Sequence, residues 1–231
     1  MAQQTGTARR TPLSRERVLR AAVAFADRGG IEALSMRGLA QELDVVPMAL
    51  YKHVANKEQL LDGMVDMIVG EIAPADGGDG WKAAVRGRVL SARAVLLRHP
   101  WAPRVIESRT APTPGVLGYL DSVIGMLRAG GLSADLAHHA MHALGSRVWG
   151  FTQELFPSPP VADPQDRAEA LGALSAHYPN IAEIVAARPH EPGSVVGGGC
   201  DDRFEFEFAL DLLLDGIERL HRSAWSSTPQ S

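Results

Sequence analysis

LSMRGLAQELDVVPMALYKHVANKEQLLD, residues 34–62, decides how the rest of the chain is read. Its periodicity gives a short helix, a tight turn, a second short helix, another turn and the start of a longer helix. Leu39, Ala40 and Leu43 recur at three- and four-residue spacing, and Ser35 is placed to cap their helix. The turn falls at Asp44-Val45-Val46, where aspartate tolerates a left-handed backbone better than most residues. Pro47 suits the first turn of the next helix, where its missing N–H loses no intrahelical partner. On that helix Leu50 and Val54 share one face. Pro47, Met48, Tyr51 and Lys52 lie opposite, with Ala49 and His53 along a flank. A helix so short must pack on its neighbours to exist at all. Two short helices joined by a tight turn, the second presenting polar tips, read as a DNA-binding helix-turn-helix.

At these residues the sequence resembles a known family. LYKHVANKEQLLDGM, preceded by LSMRGLAQELDV, is similar to the helix-turn-helix of TetR-type transcriptional repressors, and the LY-x-HV-x-NK-x-x-LL run is close to that family's signature. The motif covers about 50 residues. The remainder resembles the family through its all-helical pattern and the closing FEFEFALDLLLDGIERL, most like the tetracycline-repressor-like branch of the ligand domains. Three positions depart from the pattern. Gly38 lies inside the first motif helix, at a cost of ~1 kcal/mol relative to Ala. Val46 stands where a Ser or Thr cap is common, and Asp44 where Gly is common.

Charge is distributed to match. The chain of 231 residues carries a net −4, but residues 1–57 hold nine Lys/Arg against five Asp/Glu, while residues 58–231 hold fourteen against twenty-two. A basic N-terminal unit on an acidic body fits a phosphate-reading head. The 45% hydrophobic content suffices for a real core. Cys200 is the single cysteine, so no intrachain disulfide and no thiolate-rich metal site is possible. The start, MAQQTGTARRTPLSRER, lacks a signal-peptide core, and no window approaches ~18 uninterrupted apolar residues. These features lead to the expectation of a soluble cytoplasmic protein without membrane partners.

In chain order, residues 1–12 read as a basic arm in which Arg9, Arg10 and Arg15 suit phosphates or a minor groove. Ser14 caps a helix to about Arg28, with Val18, Leu19, Ala22, Val23 and Ala26 buried and Gly29-Gly30 ending it. Residues 13–57 then form a three-helix DNA-binding domain. Asn56 caps a connector helix to about Ile72, with Lys57 beside its positive end. The sequence from Pro74 to Gly80 breaks it. Helices are expected over 81–98 and 115–129, the latter with Leu117, Leu120, Ile124 and Leu127 inward. Another is expected from Ser133 to about Leu155. A proline-rich loop follows from Phe156, then short helices near 166–177 and 181–187, and a mobile stretch from Pro189 to Cys200. The last helix runs from Asp201 or Asp202 to about Arg222. Phe206, Leu210, Leu213, Ile217 and Leu220 mark one apolar face, and Phe204, Phe208 and Leu212 a second. Two stripes suggest one side against its own domain and one against a partner. The expected fold class is all-α: the N-terminal head plus a C-terminal helical ligand-binding and dimerisation domain over 58–223, with a flexible tail at 224–231.

The DNA candidates are Ser35, Arg37, Pro47, Met48, Ala49, Tyr51, Lys52, His53 and Lys57. Arg37 suits bidentate contact to guanine or a phosphate. Pro47, Met48 and Ala49 offer apolar contact for thymine methyl groups. By resemblance, Tyr51, Lys52, His53 and Lys57 match positions that mostly hold phosphates. Effector candidates are Trp101, Arg104, Met126, His138, Met141, His142, Trp149 and Phe151, residue types that line pockets and equally fill helical cores. His138 and His142, four apart, have metal-chelating spacing, but no HExxH pattern or carboxylate pair accompanies them. No cofactor or resident metal is expected. The dimer face is placed on Phe206, Leu210, Leu213, Ile217 and Leu220. The resemblance implies a homodimeric repressor that binds a near-palindromic double-stranded operator and is released by a small apolar effector. Two rivals stand beside it: an enzyme or carrier with a vestigial DNA motif, and a regulator that works without an effector. Catalysis has no support, since there is no GxSxG or phosphate loop and Cys200 has no adjacent base.

Overall fold

The computed structural model describes residues 12–74, 80–150, 175–180, 182–183 and 202–228, without the side chains of 147, 149 and 150. Arg9, Arg10, Phe151, the proline-rich loop and the stretch through Cys200 lie outside the described residues. The described residues are helical, with no strand among them, and no helix there is long and apolar enough to cross a membrane. The chain forms two compact units, Met1–Gly130 and Gly131–Ser231.

In the first unit, α1 (Arg15–Gly29) begins where Ser14 Oγ accepts the Arg17 N–H and ends where Gly30 takes φ 76°. Its stripe of Val18, Leu19, Ala22, Val23 and Ala26 is buried, as its spacing dictates. A 3-10 turn (Ile31–Ala33) leads to α2 (Met36–Glu42), capped by Ser35 Oγ on the Gly38 N–H at 3.1 Å. A Cβ on Gly38 would sit 3.1 Å from that hydroxyl oxygen and 3.5 Å from the Phe25 ring, so the glycine makes room for its own cap.

The turn closes as a Schellman motif: Val45 N–H donates to Ala40 C=O, Asp44 N–H to Gln41 C=O, and Asp44 takes φ 53°. Only glycine enters that region without strain. Asp44→Val should therefore leave the protein less stable than Asp44→Gly by about 1–2 kcal/mol in chemical denaturation. Equal stability would show that the turn relaxes to another conformation.

Next come α3 (Pro47–Leu50), entered through Val46 without a side-chain cap, and α4 (Lys57–Val69). Asn56 Oδ1 accepts the Gln59 N–H at 2.8 Å, while Gln59 Oε1 accepts the Ala55 N–H at 2.6 Å. At Gly63 a Cβ would come within 2.6 Å of Leu19 Cδ2, so the missing side chain makes the seat on α4 into which Leu19 of α1 packs. Three further helices, α5 (Trp81–Arg98), α6 (Ala102–Glu107) and α7 (Pro114–Ala129), complete the unit, and α4 packs on all of them as well as on α1.

One register differs from the sequence reading. On α7 the buried residues are Val116, Tyr119, Val123 and Leu127, whereas Leu117 is 52% exposed. The helix carries two apolar registers one residue apart. Tyr119, buried beneath the Arg88 guanidinium 5.1 Å from its ring centroid, marks the one that faces inward.

In the second unit, α8 (Ala134–Gly150) starts where Ser133 Oγ accepts the Leu136 N–H, and it packs on α9 (Asp202–Arg222). FEFEF is helical, as its continuation requires. After α9 the chain makes a second Schellman turn: Ala224 takes φ 51°, and Trp225 N–H reaches Leu220 C=O.

Candidate functional site

The two motif helices, α2 and α3, pack against each other. Leu50 and Val54 are fully buried, anchoring α3 to the head, while Val46, Met48 and Tyr51 are 68%, 71% and 43% exposed. Ser35, Arg37, Pro47, Lys52 and Lys57 are also exposed, and Ala49 and His53 are half-buried. Seven of the nine DNA candidates are thus exposed and two half-buried along Ser35, α2, α3 and the start of α4. Arg37 follows the Ser35 cap in the first turn of α2, and Lys57 opens α4 beside the Asn56 cap. Helix N-termini already favour anions, so each cation adds to an existing positive end.

Neighbouring carboxylates are engaged elsewhere. Glu42 pairs with Arg28 at 2.7 Å, and Glu58 pairs with Arg109, which also reaches Asp62 at 3.4 Å. The Arg109 side chain is only 11% exposed, so it is held in place along the first two turns of α4. Among the described residues no ion pair occupies Arg37, Lys52 or Lys57. A face of open cations with its nearby carboxylates neutralised is built for phosphate.

The effector candidates are dispersed. Trp101 is buried and donates from Nε1 to Asp27 Oδ1 at 2.7 Å; Arg104 is exposed and pairs with Glu32 at 3.4 Å. Both therefore tie α6 to the end of α1 and the turn beyond it. Met126 and Met141 are half-buried, and His138 and His142 are exposed on α8. Trp149's side chain and Phe151 lie outside the described residues.

Residues outside the motif organise the support. His99 is buried, with Nδ1 2.7 Å from Asp27 Oδ1 and Nε2 3.4 Å from Glu71 Oε2. Burial would raise the Glu71 carboxyl, but hydrogen bonds from Arg98 and His99 outweigh it and hold the group below its ordinary value. Arg88 donates to Ile72 C=O at 2.9 Å and also to Ala73 C=O, closing the turn that follows α4. Burial pushes the Tyr119 phenol up to about 12, against the lowering influence of Arg88.

On α9 the face turned to its own unit is Phe206, Leu210, Leu214 and Ile217. Three of the five positions expected at a partner interface, Phe206, Leu210 and Ile217, are therefore core of a single protomer, because the inward stripe turns through Leu214 rather than Leu213. The open positions are Phe204, Phe208 and Leu212, at 46%, 53% and 56% exposure, with Phe204 and Phe208 stacked at 6.2 Å. Beside them, Leu136, His139, Ala140 and Ala143 of α8 meet Leu212, Leu213, Gly216 and Leu220 of α9 along an apolar groove of ≈ 400 Å³ that ends at Trp225.

That tryptophan is held by a hook. Asp135 accepts the Ser227 N–H and hydroxyl, each at 2.7 Å, and the Ser226 hydroxyl at 3.3 Å; His139 stands edge-on to Trp225 at 5.5 Å. The Ser227 backbone and side chain hold the Asp135 carboxyl below its ordinary value. A depressed carboxylate stabilises the folded form above its unfolded value and loses that contribution as pH falls through the folded one. In His139→Ala, where no imidazole faces the indole, the Trp225 indole resonance should therefore stay in its docked position at neutral pH and shift only at pH below the usual carboxylate range. Movement of that resonance between pH 6 and 8 in this variant would contradict the assignment.

Comparison with known proteins agrees with this architecture. Residues 18–64 match the family model for bacterial regulatory proteins of the tetR family, and residues 73–221 match the tetracyclin repressor-like C-terminal domain. The chain is 32% identical over 222 residues to the HTH-type transcriptional repressor DrrR1 of Streptomyces coeruleorubidus, covering 90% of this chain and 78% of that protein. It is 30% identical over 212 residues to the class C tetracycline repressor protein of Escherichia coli, covering 90% and 92%. The crystal structure of ActR from Streptomyces coelicolor in complex with actinorhodin superposes with a TM-score of 0.68 at 25% identity, covering 90% of this chain and 98% of that one. The chain belongs to the TetR family of bacterial transcription regulators.

Proposed function

We propose that the chain is a ligand-responsive transcriptional repressor, which binds a near-palindromic double-stranded operator as a homodimer and is released by a small apolar effector. The observation that carries the reading is the head's surface: exposed Arg37, Tyr51, Lys52 and Lys57 around an apolar tip of Pro47 and Met48, with Glu42 and Glu58 paired away. On this reading residues 13–57 are the DNA-binding head and residues 58–223 hold the effector and the partner. Tyr51, Lys52, His53 and Lys57 grip phosphate and fix register. Arg37 and the Pro47-Met48-Ala49 tip, seated by the Ser35-capped helix, read the groove. The dimer forms where α8 and α9 leave an apolar groove, a second copy completing a four-helix contact. Two heads then reach successive major grooves about one turn (~34 Å) apart. The named relatives support both halves, one being a repressor of tetracycline type and another a regulator crystallised with actinorhodin.

Signal transfer falls to α4, whose first turn carries Lys57 while its length packs on α1, α5, α6 and α7. An effector shifts DNA affinity only by its preference for one head arrangement over the other. Selection of bound duplexes from a random-sequence pool at physiological salt should recover one near-palindromic site. Tyr51→Ala should weaken binding to that site by about tenfold, equivalent to the loss of one well-made phosphate contact. Unchanged affinity would remove Tyr51 from the contact set, and equal affinity for every duplex would end the repressor reading.

A further inference from the structure

We propose that His138 and His142 form a two-imidazole chelate for one divalent transition-metal ion of the zinc, nickel and copper class. The two residues are one turn apart on α8, which puts their Cβ atoms on the same face about 5–6 Å apart. Their ring centroids are 4.7 Å apart with the planes at 76°, so side-chain rotation alone can bring one nitrogen of each ring to a shared ion. Both side chains are exposed. Among the described residues no hydrogen bond or ion pair engages either ring; each packs edge-to-face on a neighbouring imidazole. A neutral imidazole with a free nitrogen lone pair is a ligand in search of a cation, and two held in register bind as a chelate.

The surroundings choose the class of ion. The nearby carboxylate, Asp135, is occupied by Ser226, Ser227 and His139, so calcium or magnesium would find no oxygen donors here. Borderline ions that favour nitrogen remain, in the order of rising affinity that ends at copper(II). His139 does not contribute. Its ring touches His138 at 5.1 Å but is edge-on to Trp225, and its Nε2 is 3.6 Å from Asp135 Oδ1, so it is already engaged. Neither His138 nor His142 lines the groove between α8 and α9, so the ion is reached from solvent and stays clear of the proposed dimer contact. No group of three or more donor residues surrounds the pair among the described residues. Two protein ligands leave the other coordination positions to water, open to exchange with a nitrogen or oxygen donor of a small molecule. The ion also cross-links one turn of α8, the helix that supplies half of the groove.

The test is calorimetric titration of the full-length dimer with zinc(II), nickel(II) and copper(II) chlorides, paired with thermal melting at each ion concentration. The expected result is one ion per chain, copper held most tightly, with a metal-dependent rise in Tm. His138→Ala and His142→Ala should each weaken binding by about tenfold or more. His139→Ala should leave binding unchanged. Circular dichroism of the variants checks that α8 is intact, and diethyl pyrocarbonate labelling should show His138 and His142 protected by the ion. Binding that survives the double His138→Ala, His142→Ala substitution would overturn the proposal. So would an equal loss in His139→Ala, or no binding heat at millimolar metal.

Discussion

Leu212→Glu combined with Leu213→Glu should give a folded monomer that has lost its operator. Leu212 is 56% exposed and Leu213 only half-buried, and both line the groove between α8 and α9. The helix's hold on its own unit rests on Phe206, Leu210 and Leu214, all buried to within 1% of complete, and these are left intact. Carboxylates in the groove would be desolvated against a partner's apolar surface and would face their own copies across the two-fold axis, and either effect opposes association. Operator affinity should then fall by more than about a hundredfold. Two heads joined in one particle bind the second half-site at high effective concentration, an advantage of 10²–10⁴ that a monomer lacks. Sedimentation velocity and a duplex titration measure the two halves separately. A dimer that persists would move the partner interface elsewhere, and a monomer that binds as well as the parent would show that one head suffices.

Phe206 and Leu210 belong to the protomer's own core, whereas Leu213, Ile217 and Leu220 line the groove with α8, and there is a physical reason why spacing does not separate the two sets. Phe206, Leu210, Leu213, Ile217 and Leu220 keep a four-three-four-three spacing, but the four-four-three path through Leu214 is as helical, because LLL at 212–214 serves either register. Period shows that two stripes exist; it does not show which one meets the protomer's own core. The same ambiguity displaced the inward face of α7 by one residue. Local chemistry was more legible. Ser14, Ser35 and Asn56 cap the helices they precede, Asp44 is left-handed at the turn, and Leu50 and Val54 are the buried side of α3. Each of these depends on atoms within four residues of one another. Trp101 and Arg104 depend on partners far away: Asp27 lies 74 positions before Trp101, and Glu32 is equally remote in sequence from Arg104. No window of sequence contains both members of such a pair, so an aromatic and a cation that suit a ligand pocket turned out to brace the head.

Arg109 belongs to that second kind, and its removal should affect DNA binding without its touching DNA. Its guanidinium lies against Glu58 and Asp62, which are 68% and 47% exposed on the first two turns of α4, next to Lys57. With Arg109 in place, Arg109 and Lys57 balance the two carboxylates, and the helix N-terminus adds its own positive end. Arg109→Ala leaves two carboxylates beside the phosphate-gripping lysine, where they repel the operator through solvent. Operator affinity should drop by about tenfold at low salt, and the difference from the parent should shrink as added salt screens the exposed charges. Arg109 also donates to Val105 C=O and the Ser108 hydroxyl at the end of α6, so a purely structural cause has to be separated from the electrostatic one. Glu58→Gln does this. Added to Arg109→Ala, it deletes a repelling charge without rebuilding any contact at α6, and it should restore most of the lost affinity. Introduced alone, it should leave binding equal to or tighter than the parent. If the double variant binds no better than Arg109→Ala, the role of Arg109 is to hold α6 on α4, and the loss will be insensitive to salt.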